Sequence, residues 1–166
     1  MDDNNVPTVP GLNDISNKKD IDNFINKVQL PIIVKAASGG GGKGMRVITD
    51  YDDINNAINS AKAEAKKSFN DDKVYLEKFL ITPKHIEIQI LADSQGNVIT
   101  LGERDCSIQR KHQKLIEESP SELLTIEKRI EISELCKKAV SSLGYEGVGT
   151  LEFLYENNKF YFMEMN

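Results

Sequence analysis

The stretch that decides the fold is Pro31-Ile-Ile-Val-Lys-Ala-Ala-Ser-Gly-Gly-Gly-Gly-Lys-Gly-Met-Arg-Val-Ile48, in which a glycine-rich loop separates two apolar segments. Glycine loses more backbone entropy on folding than any other residue, so such a run is unfavourable unless the backbone must approach something closely. Backbone N–H groups that surround a phosphate chain are a common reason. We therefore predict a strand, a mobile lid over nucleotide phosphates and a second strand, with Lys35 as a fixed cation at the base of the lid.

Three other glycine-rich motifs fit this stretch less well. The P-loop pattern would need a glycine at Ala37 and a serine or threonine at Gly44. Three of the glycines satisfy GxGxxG, but that fingerprint requires a helix directly afterwards, whereas Met45-Arg-Val-Ile48 is typical of a strand. The kinase loop also joins two strands, but its lysine follows the glycines, and Lys35 precedes them. The plainer alternative for the loop taken alone is a flexible hairpin tip.

Composition narrows the class of protein. The 166 residues carry a formal net charge of -5, which argues against nucleic acid as the main partner. The two cysteines, Cys106 and Cys136, form no CxxC pair and indicate neither a disulfide framework nor a zinc site. The first residues do not resemble a signal peptide, and no apolar run approaches the length of a membrane span. We expect an intracellular protein, in the cytoplasm or, if a transit peptide preceded Met1, in an organelle matrix.

Hydrophobic periodicity predicts an α+β fold. Helical spacing of apolar residues predicts helices over residues 17–28, from Asp52 to about Ser68, and from about Ile126 to Leu143. Strict alternation predicts a strand at His85-Ile-Glu-Ile-Gln-Ile-Leu91, with His85, Glu87 and Gln89 on one face. Further strands are expected at Val74–Leu80, from Val98 to about Leu101 with extended structure continuing to Lys114, and in a final hairpin over 147–166. We expect the chain to divide into a linker from a preceding N-terminal domain over 1–16, a small lobe with the lid over 17–79, and a large lobe over 80–166 that is truncated at its C-terminus.

Two carboxylates lie within the otherwise apolar strands of the final hairpin, Glu152 and Glu164. A buried carboxylate is unfavourable unless it is paired or bound to a metal. Together with Asn166 the two would form an oxygen-ligand site that suits Mg²⁺ or Mn²⁺, although each alone could be an edge residue that faces solvent. The two carboxylates share a face of the sheet only in one register. We therefore predict a turn of three or five residues, with or without a bulge.

The segment Gln109-Arg-Lys-His-Gln-Lys114 places three cations and a histidine within six residues. Taken alone, such a segment is typical of a basic strand on the surface. Beside a phosphate lid and a pair of metal-binding carboxylates, it becomes a candidate wall for phosphate and other anions. Its lysine and arginine side chains would balance the charge that builds up in phosphoryl transfer.

In order and spacing, five stretches resemble the ATP-grasp core of biotin carboxylase: Lys35-Ala-Ala-Ser-Gly-Gly-Gly-Gly-Lys-Gly-Met-Arg-Val47, Tyr75-Leu-Glu-Lys-Phe-Leu80, Pro83-Lys-His-Ile-Glu-Ile-Gln89, Glu103-Arg-Asp-Cys-Ser-Ile-Gln-Arg-Lys-His-Gln-Lys114 and Phe162-Met-Glu-Met-Asn166. The resemblance extends from about Val6 to Asn166. It implies an ATP-grasp fold with two lobes, each with a mainly antiparallel sheet and helices, and with the nucleotide between them. The family makes carboxyphosphate from bicarbonate and ATP and then carboxylates N1′ of biotin.

The resemblance also implies roles for individual residues. Lys114 would lie near bicarbonate and the γ-phosphate of ATP. The nucleotide-binding positions of the family are matched by Lys35, Gly40, Gly41, Gly42, Met45, Glu77, Lys78, Leu80, His85, Gln109, His112 and Leu154. The family's ligands for Mg²⁺ or Mn²⁺ are matched by Glu152, Glu164 and Asn166.

Further expectations concern the parent protein. The resemblance implies a biotin carboxyl carrier domain and a carboxyltransferase as partners, biotin and bicarbonate as substrates, and a homodimeric full enzyme without a membrane or nucleic-acid partner. The family continues after Glu-Met-Asn with an Arg-x-Gln-x-Glu segment, so we expect residues 1–166 to bind ATP but not to carboxylate biotin alone. Whether the parent is an acetyl-CoA, propionyl-CoA or pyruvate carboxylase stays open. The alternatives are another ATP-grasp ligase, such as half of a carbamoyl-phosphate synthase, and a nucleotide-binding module without catalysis.

Overall fold

The structure is a computed structural model that describes residues 6–38, 43–111 and 113–166. In this part of the chain nine strands form two antiparallel sheets, of four and five strands, accompanied by three α-helices. The α+β class predicted from the sequence is confirmed. The chain divides into two compact units, Val9–Ile81 and Thr82–Asn166, and the second also includes the described residues of Met1–Thr8. Within the described ranges, no helix is both long enough and apolar enough to cross a membrane.

The first unit is a four-stranded sheet packed against two helices. In spatial order its strands, numbered along the chain, are β1 (Gly11–Leu12), β4 (Val74–Lys78), β2 (Ile32–Ala36) and β3 (Arg46–Ile48). The helices are α1 (Lys18–Val28) and α2 (Ile54–Phe69), with a 3-10 turn at Tyr51–Asp53 before α2. Both helices were predicted, and their ends differ from the prediction by at most two residues.

Local capping and apolar stripes account for these helices. The Asn17 side chain accepts a hydrogen bond from the Lys19 backbone N–H at 3.0 Å, which satisfies a donor that the first turn of α1 leaves free. Asn70, in the left-handed conformation with φ 57°, ends α2. The apolar stripes of the two helices pack on Ile32, Val34 and Leu76 of the sheet and are formed by Ile21, Phe24, Ile25, Ile54, Ile58, Ala61 and Ala65.

The second unit is a five-stranded sheet with one helix on one face. In spatial order its strands are β7 (Gln113–Glu118), β6 (Val98–Arg110), β5 (Lys84–Ala92), β8 (Gly147–Glu156) and β9 (Lys159–Met165). The helix α3 (Ile126–Ser142) buries Ile132, Cys136, Ala139 and Val140 in a core that it shares with Ile86, Ile88 and Ile90 of β5. Because side chains alternate along a strand, the opposite face of β5 carries His85, Glu87 and Gln89.

The final hairpin differs from the prediction in its turn. The turn has two residues, Asn157 and Asn158, with positive φ of 51° and 61° as in a type I′ turn, so the predicted length of three or five residues is wrong. A bulge at Met163 then shifts the register, and Glu152 lies directly opposite Glu164. The bulge therefore places the two carboxylates on one face, which an unbulged hairpin with a two-residue turn would not do.

The extended segment predicted to continue to Lys114 is interrupted. The strand β6 ends at Arg110, Lys111 has φ 51°, and β7 returns antiparallel with Gln109 opposite Lys114. A turn without glycine or proline gives little local signal, which is why the sequence pattern did not reveal it. The reversal makes Lys114 part of an edge strand and brings its side chain back over the polar face of the sheet.

The N-terminal segment makes specific contacts in its described part. Val6 is 2% exposed in the core of the second unit, where the Pro7 carbonyl accepts a hydrogen bond from the Phe162 N–H at 2.7 Å. Gly11 and Leu12 form β1 of the first unit. The assignment of residues 1–16 to a linker from a preceding domain, and the lobe boundaries at residues 79 and 80, stay predictions.

Candidate nucleotide and metal site

One group of the predicted nucleotide-binding residues lies on the sheet of the first unit. Lys35 on β2 and Glu77 on β4 share the face opposite the helices, and their side chains form an ion pair. Gly44 has φ 71°, and a Cβ at this position would lie 2.8 Å from the Ala36 Cβ, so this position, two residues before β3, is restricted to glycine. Gly40, Gly41 and Gly42, on which the lid prediction rests, are outside the described residues.

The other predicted residues of this unit lie at the ends of its strands, Lys78 and Leu80 at the end of β4 and just after it, and Met45 just before β3. The Lys78 ammonium donates to the Gln29 carbonyl at 3.1 Å, Leu80 is buried, and Met45 is half-buried. Sequence reasoning gave no role to Tyr75, which lies on the same face as Lys35 and Glu77. Burial, with the Glu77 charge close by, raises the pKa of Tyr75 to about 12, so its hydroxyl stays protonated and can act as a donor.

A second group lies on the polar face of the five-stranded sheet. In register, Arg104 of β6, Glu87 of β5, Glu152 of β8 and Glu164 of β9 form one row across four strands. Glu87 is 3% exposed and Glu152 is 4% exposed. Two buried carboxylates on adjacent strands are unfavourable unless cations compensate their charge.

Two cations provide this compensation. The Lys114 ammonium donates to Glu152 Oε1 at 2.8 Å and also to Glu87 Oε2, while the Arg104 guanidinium binds Glu87 Oε1. Lys114 enters from β7, two strands away from β5, because the turn at Lys111 reverses the chain. The centre of the row is thus a protonated amine that bridges two buried carboxylates.

His85 is held in one tautomer by its neighbours. The Gln109 amide nitrogen lies 2.7 Å from His85 Nδ1 and donates to the Cys106 carbonyl at 2.8 Å. Since an amide nitrogen is a donor only, Nδ1 accepts, and the ring proton lies on Nε2. His85 Nε2 therefore donates to Glu152 Oε2, which is 2.6 Å away. Each oxygen of Glu152 therefore has a donor, Lys114 for Oε1 and the neutral His85 ring for Oε2.

The charges at the centre of the row reinforce one another. Burial acts to raise the pKa of Glu87 and of Glu152, but hydrogen bonds from cationic neighbours outweigh it and hold the pKa of each carboxyl below its usual value. Burial acts to lower the pKa of Lys114, but its hydrogen bonds to Glu152 and Glu87 raise that pKa above the usual value. At neutral pH both carboxylates are therefore ionised and the lysine is protonated.

The stability of this unit is expected to fall at both ends of the pH range. The lowered pKa values of Glu87 and Glu152 contribute stability above about 4.5, and this contribution is lost as pH falls through the folded-state values. The raised pKa of Lys114 contributes stability below about 10.5, and this is lost as pH rises through its folded-state value. Urea midpoints between about pH 3 and about pH 7 measure the loss at the acid end, and midpoints above about pH 10.5 measure the loss at the alkaline end. The loss of stability below about pH 4.5 should be smaller in Glu87→Gln than in the wild type, and an equal loss in the two proteins would contradict this account.

The donor set suits a hard divalent cation. His85, Glu87 and Glu152 have possible ligand atoms within 4.8 Å of one another, but Glu87 already has two cationic partners, Lys114 and Arg104. Glu152 lies opposite Glu164, and the Asn166 amide nitrogen is 2.8 Å from Glu152 Oε1, so a rotated amide would present its oxygen beside two carboxylates. Carboxylate and amide oxygens are the ligands that Mg²⁺ and Mn²⁺ prefer. These three residues therefore fit the metal inferred from the sequence.

The structure connects some of the predicted site residues and leaves others beside the network. One hydrogen-bonded network contains His85, Gln109, Lys114, Glu152 and Asn166. Leu154 pairs with His85 in register, and Glu164 is exposed, next to the network but with no hydrogen bond found among the described residues. His112 is not among the described residues.

Sequence reasoning gave no function to Glu87 or Arg104. The signal for Glu87 was its place on the polar side of the alternating strand that also carries His85. Arg104 had no such signal, since its pairing with Glu87 depends on the register between β5 and β6. Cys106 touches the same cluster, but burial raises its pKa to about 12, so this thiol is neutral and a poor metal ligand.

Comparison with known proteins gives a consistent result. The family described as the ATP-binding domain of the carbamoyl-phosphate synthase L chain matches residues 1–166. A biotin carboxylase of Haemophilus influenzae is 51% identical over 166 residues, which cover 97% of this chain and 36% of that protein. The chain thus spans about a third of the length of such relatives.

Solved structures agree with the sequence relatives. A biotin carboxylase from Campylobacter jejuni, solved as a complex with a β,γ-ATP ligand, aligns with a TM-score of 0.88 and 47% identity over 100% of this chain and 38% of that one. The biotin carboxylase domain dimer of Hydrogenobacter thermophilus 2-oxoglutarate carboxylase, solved with MgADP, ADP and bicarbonate, aligns with a TM-score of 0.86 and 42% identity over 100% of this chain and 37% of that one. The chain therefore belongs to the family of carbamoyl-phosphate synthase L chain ATP-binding domains, and within it the resemblance to biotin carboxylases that its motifs indicated is confirmed.

Proposed function

We propose that this chain is the ATP-binding core of a biotin carboxylase, which uses Mg-ATP and bicarbonate to carboxylate biotin on a carrier protein. The observation that carries the proposal is Lys114, a protonated amine held by Glu87 and Glu152 on a polar sheet face. A cation fixed in this way is suited to an oxyanion such as bicarbonate or a terminal phosphate. The Haemophilus influenzae relative is named for the same activity.

Phosphoryl transfer requires mainly positioning and neutralisation of charge. Lys35 binds the phosphate chain, and Lys114 stabilises the charge that develops as bicarbonate and the terminal phosphate react. Glu152, Glu164 and Asn166 are the residues that would hold a divalent cation. A bound Mg²⁺ or Mn²⁺ would supply further neutralisation of the phosphate oxygens. His85, with its proton on Nε2, fixes the orientation of Glu152.

Titration of the chain with Mg-ATP by isothermal calorimetry tests the nucleotide site. We expect Lys35→Ala to weaken ATP binding at least tenfold, roughly the contribution of one charge-assisted hydrogen bond. The matched control is Lys27→Ala, which removes an exposed lysine from α1 of the same unit. The proposal is contradicted if the unmodified chain does not bind Mg-ATP, or if the two variants bind it equally well.

A chimera tests the reaction itself. In it, residues 1–166 replace the aligned segment of the Haemophilus influenzae biotin carboxylase, to which they are 51% identical. Carboxylation of biotin that depends on both ATP and bicarbonate is the expected result, and Lys114→Met in the chimera should abolish it. A chimera that hydrolyses ATP with bicarbonate but never carboxylates biotin would favour the carbamoyl-phosphate synthase branch, whose name the matched family carries.

The proposal extends to partners and location. The parent protein would act with a biotin carboxyl carrier domain and a carboxyltransferase, and it would form a homodimer, as the Hydrogenobacter thermophilus domain does. We place it inside the cell, in the cytoplasm or an organelle matrix. Size-exclusion chromatography with light scattering on the parent protein tests the dimer, and a monomer at micromolar concentration would contradict it.

A further inference from the structure

We propose that Arg104 is a positioning residue that keeps Lys114 available to an anionic substrate by serving as a second counter-charge for Glu87. The inference rests on the proposed function, since it concerns the γ-phosphate or bicarbonate that Lys114 would bind. It assigns to Arg104 a contribution to ATP binding although the side chain itself need not touch the nucleotide.

The geometry holds the Arg104 guanidinium in one orientation. Its Nη1 and Nη2 atoms both donate to Gln89 Oε1 at 3.1 Å, and the guanidinium also binds Glu87 Oε1. Gln89 is itself fixed, because its amide nitrogen donates to the Gly149 carbonyl at 2.9 Å. A planar guanidinium that contacts two acceptors at once has little freedom to rotate, so the position of Glu87 is set from the side of β6.

The distribution of charge explains why this matters for Lys114. The side chain of Glu87 is only 4% exposed, and each of its oxygens has one cation, Arg104 on Oε1 and Lys114 on Oε2. If Lys114 turns toward an anion, Arg104 still compensates Glu87. Without Arg104 the same movement would leave a buried carboxylate without a counter-charge, which is strongly unfavourable. Lys114 would then stay with Glu87, and the anion would lose its cation.

The second carboxylate does not change this conclusion. Glu152 also loses Lys114 in this movement, but it keeps its donors His85 and Asn166, at 2.6 Å and 2.8 Å. Arg104 pairs with Glu87 and not with Glu152, so the cost at Glu152 is the same with or without Arg104. Glu117, 3.5 Å from Arg104 Nε, is 45% exposed and contributes little in water. Glu87 is therefore the member of the row whose compensation depends on Arg104 when Lys114 leaves.

The test compares ATP with ADP, because only ATP offers the γ-phosphate that Lys114 would contact. The full chain is titrated with ATP and, separately, with ADP by calorimetry, both in the presence of Mg²⁺. We expect Arg104→Gln to lower the ratio of ATP affinity to ADP affinity by about tenfold. Arg104→Lys keeps a positive charge beside Glu87 and should recover most of the ratio. Glu87→Gln removes the competing carboxylate and should raise the ratio, which keeps the inference testable if Arg104→Gln does not fold.

The matched control is Arg129→Gln. Arg129 forms the same kind of pair on the opposite face of the sheet, with Nε 2.6 Å from Oε1 of Glu103, a residue that is 5% exposed. The Arg129→Gln variant should lose stability as Arg104→Gln does, but its ratio of ATP affinity to ADP affinity should equal that of the wild type. Equal ratios in Arg104→Gln and Arg129→Gln, or a ratio that Glu87→Gln lowers, would overturn the inference alone. A wild-type chain that binds neither nucleotide would overturn the proposed function and the inference together.

Discussion

Replacement of Lys114 by methionine is expected to lower the free energy of unfolding by about 3 kcal/mol. The substitution keeps much of the aliphatic side chain but removes the ammonium that Glu87 and Glu152 share. Arg104 continues to compensate Glu87, so most of the cost should come from Glu152. This carboxylate stays buried and keeps two neutral donors, His85 and Asn166. Urea unfolding followed by circular dichroism measures the effect.

The matched control for this prediction is Lys137→Met. Lys137 forms an ion pair of similar length, 2.9 Å, but its partner Glu134 is 55% exposed on the surface of α3. Surface pairs of this kind contribute at most about 1 kcal/mol, so the control should unfold close to the wild type. Adding Glu152→Gln to Lys114→Met should restore part of the lost stability. Unfolding of Lys114→Met and Lys137→Met at the same urea concentration would show that the buried row is not stabilised as described.

Glu152→Gln is expected to abolish most of the effect of Mg²⁺ on ATP binding, a loss of about tenfold or more in metal-dependent affinity. Glu152 is the member of the row that lies opposite Glu164 and next to Asn166. Its replacement by a neutral amide removes the central charge of the proposed metal site. The measurement is the ATP affinity in the presence and in the absence of Mg²⁺, by calorimetry on the full chain.

Glu87→Gln is the natural comparison for that measurement. Glu87 is equally buried and shares Lys114, but it lies one strand further from Glu164. Its replacement should leave the ratio of affinities with and without Mg²⁺ within about twofold of the wild type, a difference of less than about 0.5 kcal/mol. If both variants lose the Mg²⁺ effect to the same extent, the assignment of the metal to Glu152, Glu164 and Asn166 is wrong.

Much of the second unit could be predicted because the strand from His85 to Leu91 has a clear alternation of apolar and polar residues in the local sequence. This alternation correctly separated the isoleucines from the polar residues, and the structure buries the isoleucine face in the core. An anionic residue within the apolar run around Glu152 is equally visible in the sequence, because a buried carboxylate needs a partner. The identity of that partner was not visible, since Lys114 is 38 residues away from Glu152 along the chain.

The sequence by itself determined the class of the fold, the helices, the alternation of faces along β5 and the family to which the chain belongs, because periodicity and motif spacing are local properties of the chain. Only the tertiary structure decided that a bulge at Met163 places Glu152 opposite Glu164, that a turn at Lys111 returns Lys114 over β5, and that Arg104 pairs with Glu87. Register is set by turns, bulges and pairing between distant strands, and a shift of one residue reverses every side chain. The sequence therefore indicated candidate site residues such as Lys114 and Glu152, whereas their partners Glu87 and Arg104 emerged only from the pairing of distant strands.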